Sequence, residues 1–128
     1  MTCDGVAMLD VDDFKAINDT HGHDAGDAAL RTIVETVFSC IRGSDILIRY
    51  GGDEFLLAFG RIGQQVFAQR LEEIRQAVSR AVPAGYPQIR LSVSIGGVHR
   101  RTEETDMLLR ADAMLYEAKK EKNCVRLG

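Results

Sequence analysis

Two alternating apolar stretches meet at a pair of glycines, and that junction constrains the fold more than any other segment. Ile46, Ile48 and Tyr50 alternate with Leu47 and Arg49; Phe55, Leu57 and Phe59 alternate after Gly51-Gly52. A period of two marks strands. Paired glycines accept positive φ without steric cost, so the segment predicts a hairpin that reverses tightly at Gly51-Gly52. Asp53 and Glu54 follow at once. On the hairpin alone these acids read equally well as solvated turn residues or as part of a site. In the second case the bare glycines let a bulky phosphate approach the backbone.

The rest of the chain supplies partners for the hairpin. Val6-Ala7-Met8-Leu9 reads as a buried strand with Asp10, Asp12 and Asp13 at its C-terminal end. A helical turn from Phe14 to Asn18 and a polar Gly/His/Asp loop are expected next. Leu30, Ile33, Val34, Val37, Phe38 and Ile41 form one helical face, and Phe67, Leu71, Ile74 and Val78 form another, ended by Pro83 and Gly85. Leu91, Val93 and Ile95 predict a strand that stops at Gly96-Gly97. A last helix is expected from about Thr105 to Lys122, with Leu108, Ala111, Leu115 and Ala118 inward, before a short strand around Val125. This order suits an α+β domain: an antiparallel-rich sheet with helices packed on one face, of ferredoxin-like type.

Composition narrows the function. A chain of 128 residues is expected to be one domain, residues 1–128. A net charge of −3 offers no basic surface for nucleic acid. A phosphate-rich ligand would need a local site with metal ions or a few basic side chains. The 3 cysteines, Cys3, Cys40 and Cys124, are odd in number and form no Cys-x-x-Cys pair. That pattern predicts a reducing, cytoplasmic compartment. No apolar run has the length of a membrane span, and no signal peptide is recognisable. The abrupt start on a strand is what a domain cut from a longer protein would show, which leaves membrane attachment of the parent open.

If the hairpin lies beside the first strand, the acids at Asp10, Asp12, Asp53 and Glu54 converge. Like-charge repulsion would strain such a cluster, and a hard divalent cation, Mg²⁺ or Mn²⁺, relieves it. Two such ions can clamp a triphosphate and activate a hydroxyl for in-line displacement. His21-x-His23-Asp24 is a looser pattern that a transition metal could use.

Several motifs in order carry a family resemblance. Arg49 to Phe55 (RYGGDEF) resembles the signature of the GGDEF family, the diguanylate cyclases. Asp10 to Asp19 (DVDDFKAIND) resembles the family's first-strand motif, and Gly22 to Asp27 followed by Leu30 its next segment. Leu91 to Gly96 and Arg110 to Lys119 resemble its late strand and last helix. The likeness runs from about Val6 to Val125.

The resemblance implies a palm-type, nucleotide-cyclase-like fold with helices around the sheet. It implies condensation of two GTP into cyclic di-GMP and two pyrophosphates, in a homodimer, transient or stable, of two such domains. By similarity Asp10, Asp53 and the Val11 carbonyl hold Mg²⁺ or Mn²⁺, two ions per active half-site. Asp53 is also the proposed base, with Glu54 completing the acidic pair. Phe14 and Lys15 lie in the loop around the β- and γ-phosphates, Gly51 and Gly52 border the nucleotide, and Lys119 neutralises phosphate. Asn18 and Asp27 match the positions that read the guanine edge; His23 orders that region or lies near the nucleotide. Arg42 and Asp45 match the family's Arg-x-x-Asp site, where cyclic di-GMP, the product, also acts as inhibitor.

Three departures qualify the likeness. The upstream helix motif is absent, so the domain is expected to be N-terminally truncated relative to the family, with a sensor or regulatory domain upstream in the parent. Lys122 stands where the family commonly has arginine, in a segment one residue shorter. By the resemblance, Glu73 occupies the position from which a second-helix arginine joins the inhibitory site, with Arg70 and Arg75 nearby. The competing readings are a non-catalytic GTP or cyclic di-GMP binding module and an inactive fragment.

Overall fold

A computed structural model of the chain describes residues 3–100 and 104–128. The elements run β1 (Gly5–Val11), α1 (Phe14–His21), α2 (His23–Cys40), β2 (Ile46–Arg49), β3 (Glu54–Phe59), α3 (Gln64–Arg80), β4 (Val93–His99), α4 (Glu104–Glu121) and β5 (Val125–Leu127). They build one five-stranded sheet in the order β2-β3-β1-β4-β5. The first four strands pair antiparallel, and β5 joins β4 in parallel. The four antiparallel strands thus have the ferredoxin-like order.

Alternation along the strands sorts the core into two layers. Ala7, Leu9, Phe55, Leu57, Phe59, Val93 and Ile95 face α1, α2 and α3, together with Ile17, Ile33, Val37, Leu71 and Ile74. Val6, Met8 and Val98 face the other way and pack on Met107, Ala111 and Leu115 of α4. The helices therefore cover both faces of the sheet, not one.

Two strand glycines explain how closely these layers sit. A Cβ on Gly96 would stand 2.1 Å from the Leu115 backbone nitrogen and 2.4 Å from the Ala111 carbonyl oxygen. A Cβ on Gly97, on the opposite face, would stand 2.5 Å from Leu71 Cδ1. These glycines do not end the strand, as the sequence suggests; β4 continues through them to His99.

Other expectations shift for similar reasons. The polar loop after Asn18 is largely helix: α1 reaches His21, α2 starts at His23, and Gly22, with φ +92°, is the whole link. Met107 is buried in α4 while Leu108 is exposed, and Phe38 lies outside the buried face of α2. Gly51-Gly52 reverses the chain without positive φ; among the described residues the positive-φ glycines are Gly22 and Gly85.

Candidate functional site

Register brings the acids together. β1 and β3 pair with Asp10 opposite Glu54, and Val11 N–H donates to the Asp53 carbonyl at 3.0 Å. The sequence order separates these residues widely, yet the sheet sets the end of β1 beside the start of β3. Asp10 is almost fully buried, and Lys119 from α4 places its Nζ 2.8 Å from Asp10 Oδ2. Burial pushes the Asp10 carboxyl up to about 6; Lys119 opposes the rise and the neighbouring Asp53 carboxylate adds to it. Lys119 is shifted upward, first by its bond to Asp10 and further by the charges of Glu54 and Asp53.

Asp10, Val11, Asp53, Phe14, Lys15 and Lys119 line one cavity of about 240 Å³. Asp12, Asp13 and Lys122 complete its lining, and Lys122 and Asp13 are joined by a 2.7 Å ion pair. In the turn that leads into Asp53, Arg49 Nε donates to the Gly51 carbonyl at 3.2 Å and Nη2 to the Gly52 carbonyl at 2.6 Å. A Cβ on Gly52 would meet nothing within 4 Å, so the backbone there is accessible.

Asp12 does not join this cluster as a further ligand. Its carboxylate accepts from Ser92 Oγ and Ser94 Oγ, each at 2.6 Å, and from Asn123 N–H at 2.9 Å. It ties the end of β1 to the entrance of β4 and to the exit of α4. Lys122 and Asn123 both adopt left-handed φ, 65° and 47°, which turns the shortened segment straight from α4 into β5. Sequence reading missed this role; the signal was the pair of serines spaced to face one side of β4.

A divalent cation fits the acidic corner on its donor chemistry. Two carboxylates, Asp10 and Asp53, sit close enough for one to raise the other's pKa, which is the strain a cation relieves. Oxygen donors suit Mg²⁺ or Mn²⁺. Among the described residues no group of three or more His, Cys, Asp or Glu side chains surrounds a single ion position, so a ligand's own oxygens would complete the shell. The His21-x-His23 pattern forms no such group either: His21 ends α1 and His23 begins α2.

The other named residues fall into two places. Asn18 packs against α2 where Gly26 leaves room, one residue before Asp27. Asp27 is exposed in the second turn of α2 rather than in a loop; His23 is exposed at the helix start. Arg42 and Asp45 lie apart from the acidic corner. Asp45 has a fully buried side chain that accepts from Arg42 Nε at 3.3 Å, from Nη2 at 3.0 Å and from the Arg42 N–H at 2.9 Å. Arg42 Nη1 also donates to the Arg61 carbonyl. Arg70 makes no bond to either member of this pair: its Nη1 donates to the Cys40 carbonyl at the end of α2, and its Nε lies 3.5 Å from Glu73 Oε2. Arg75 is held by Glu72 and Asn123.

The ferredoxin-like sheet with its acidic corner defines the class, and comparison defines the family. The sequence profile described as "Diguanylate cyclase, GGDEF domain" matches residues 2–124. The chain belongs to the GGDEF, diguanylate cyclase family. It is 38% identical over 114 residues to diguanylate cyclase DgcM of Escherichia coli, covering 88% of this chain and 27% of that protein. It is 35% identical over 118 residues to diguanylate cyclase A of Treponema denticola, covering 89% of this chain and 32% of that protein. The GGDEF domain of DgcB from Caulobacter crescentus, crystallised with c-di-GMP, superposes with a TM-score of 0.88 at 34% identity, over 96% of this chain and 76% of that one. The chain thus spans about a third or less of these curated relatives. Among the described residues no helix is long and apolar enough to cross a membrane.

Proposed function

We propose that this chain is the catalytic domain of a diguanylate cyclase that condenses two GTP into cyclic di-GMP. The observation that carries the reading is the convergence of Asp10, Asp53 and Lys119 on one cavity, with the Gly51-Gly52 turn leading directly into Asp53. Mg²⁺ or Mn²⁺, two per half-site, held by Asp10, Asp53 and the Val11 carbonyl, would supply charge to the triphosphate and lower the pKa of the attacking hydroxyl.

The chain's own groups do the rest. Lys119 and Lys15 bind phosphate oxygens, and Phe14 and the Gly51-Gly52 backbone shape the site. Asn18 and Asp27 hold the guanine edge, with His23 close to that region. Each domain carries one GTP, and two domains face each other about a two-fold axis. Each 3'-hydroxyl oxygen bonds the α-phosphorus of the other nucleotide, the bond from that phosphorus to pyrophosphate breaks, and the hydroxyl proton passes to Asp53. Positioning provides most of the acceleration, as is general in phosphoryl transfer. Glu54, opposite Asp10 in register, keeps the corner acidic.

Incubation of concentrated protein with GTP and Mg²⁺ should yield cyclic di-GMP and pyrophosphate. Asp53→Ala should abolish product, and unaltered turnover in that variant would remove the base assignment. A second reading, product binding at Arg42, is supported by the fixed and partly exposed guanidinium of that residue, which after its bonds to Asp45 and to the Arg61 carbonyl keeps one N–H on each Nη. Calorimetry with cyclic di-GMP on wild type and Arg42→Ala tests it independently of catalysis. Attachment to an upstream sensor domain in a cytoplasmic or membrane-bound parent would then control when two domains meet.

A further inference from the structure

A second cavity, of about 350 Å³, opens beside α2 and is lined by Asp27, Leu30, Arg31, Val34, Arg49 and Phe55. Leu30 and Phe55 are buried and form an apolar floor suited to a flat ring. Asp27 and Arg31 stand one helical turn apart on the same face, both exposed. They form no ion pair with each other, and Arg31 forms none with Glu35, which also lines the cavity; among the described residues the Arg31 side chain has no hydrogen-bond partner. Arg49, the other cation in the cavity, is already committed to the carbonyls of Gly51 and Gly52. Arg31 is therefore the cation there with all its donors free.

The chemistry of the pair matches one edge of one base. Guanine presents O6, an acceptor, next to two donors, N1–H and the N2 amino group. An ionised Asp27 only accepts, so it can take N1–H and N2–H; the adjacent O6 then needs a donor from the next position. We infer that Arg31 is a specificity-determining residue whose guanidinium donates to guanine O6 while Asp27 holds N1–H and N2–H. Adenine presents an amino donor where guanine has O6, so Arg31 opposes it with donor against donor. The inference rests on the reading of Asp27 as the guanine-contacting acid.

The test is equilibrium binding of 3'-deoxynucleoside triphosphates, which lack the attacking hydroxyl and cannot turn over. Guanosine, inosine and adenosine forms are compared with Mg²⁺ on wild type, Arg31→Ala and Arg31→Lys. Inosine keeps O6 and N1–H and lacks the amino group. Arg31→Ala should weaken the guanosine and inosine forms alike, by about ten-fold, and leave the adenosine form unchanged or tighter. Arg31→Lys should recover part of the loss. Equal weakening of all three would mean a general charge effect on the triphosphate and would overturn the inference, as would no change for any. If wild type itself failed to prefer guanosine over adenosine, the guanine reading of Asp27 would fall and this inference with it. If wild type kept that preference and Arg31→Ala kept it equally, only the role of Arg31 would fall. Arg31 is exposed, so the unfolding midpoint of each variant should match wild type.

Discussion

Gly26 and Asn18 occupy one shared space: a Cβ on Gly26 would stand 1.8 Å from Oδ1 of Asn18. The bare glycine lets the amide of α1 lie against α2, one residue from Asp27. Gly26→Ala should move Asn18 out of place. Alanine is favoured over glycine in a helix by about 1 kcal/mol, so part of the steric cost is offset and the fold should survive. The expected signature is a near-normal unfolding midpoint with GTP affinity reduced by about ten-fold or more, read by calorimetry.

The two glycines of β4 should respond differently to the same substitution. In Gly96→Ala the new methyl meets backbone atoms of α4, which yield only if the helix lifts. A loss of about 3 kcal/mol is expected in denaturant unfolding, together with reduced activity as Lys119 moves. In Gly97→Ala the methyl meets the ends of Leu71 and Phe67, which can rotate, so the loss should be about 1 kcal/mol. Equal losses would contradict the close helix approach at Gly96.

Asp12→Ala should destabilise the fold rather than strip a metal. Three donors, from Ser92, Ser94 and Asn123, lose their acceptor at once. A cost of about 2 kcal/mol is expected. Ser92→Ala with Ser94→Ala should reproduce part of it, and a double-mutant cycle with Asp12 would measure the coupling.

Acid sensitivity should trace to Asp45. Burial by itself raises this carboxyl, but hydrogen bonds from the Arg42 side chain and backbone and from the Gly60 backbone outweigh it and leave the pKa below the ordinary value. A folded-state pKa below the unfolded one gives stability that is fully present above the unfolded value and is lost as pH falls through the folded one. Stability measured from pH 6 downward should therefore drop below about pH 4 in wild type. Asp45→Asn should be less stable at pH 6 and show a flatter acid limb.

How much of this could be read from sequence depended on whether the signal was periodic or geometric. The alternation of Phe55, Leu57 and Phe59 and the 3.6-residue stripe of Phe67, Leu71, Ile74 and Val78 predicted buried faces that the structure bears out. The convergence of Asp10 with Asp53 was legible only because motif order implied adjacent strands. Single glycines misled: Gly96-Gly97 looks like a stop, and only the helix backbone above Gly96 reveals why the side chain is missing. In α4 the inward positions Ala111, Leu115 and Ala118 are borne out, and only the first shifts, from Leu108 to Met107, because both are apolar and nothing local decides which turns inward. The commitments of Arg70 to Cys40 and of Arg75 to Glu72 are contacts of tertiary structure with no sequence period at all.

The bare contact at Gly96 has a mechanical consequence. An α-helix of 18 residues is about 27 Å long. This one rests on the sheet where Ala111 and Leu115 straddle the glycine, with Glu104 on one side of the support and Lys119 on the other. Met107 on one arm and Ala118 on the other are buried too, so the helix is clamped along its length and not only at the glycine. The 2.8 Å bond from Lys119 to Asp10 is the last point of that clamp, and a force that peels the helix away from its C-terminal end meets it first.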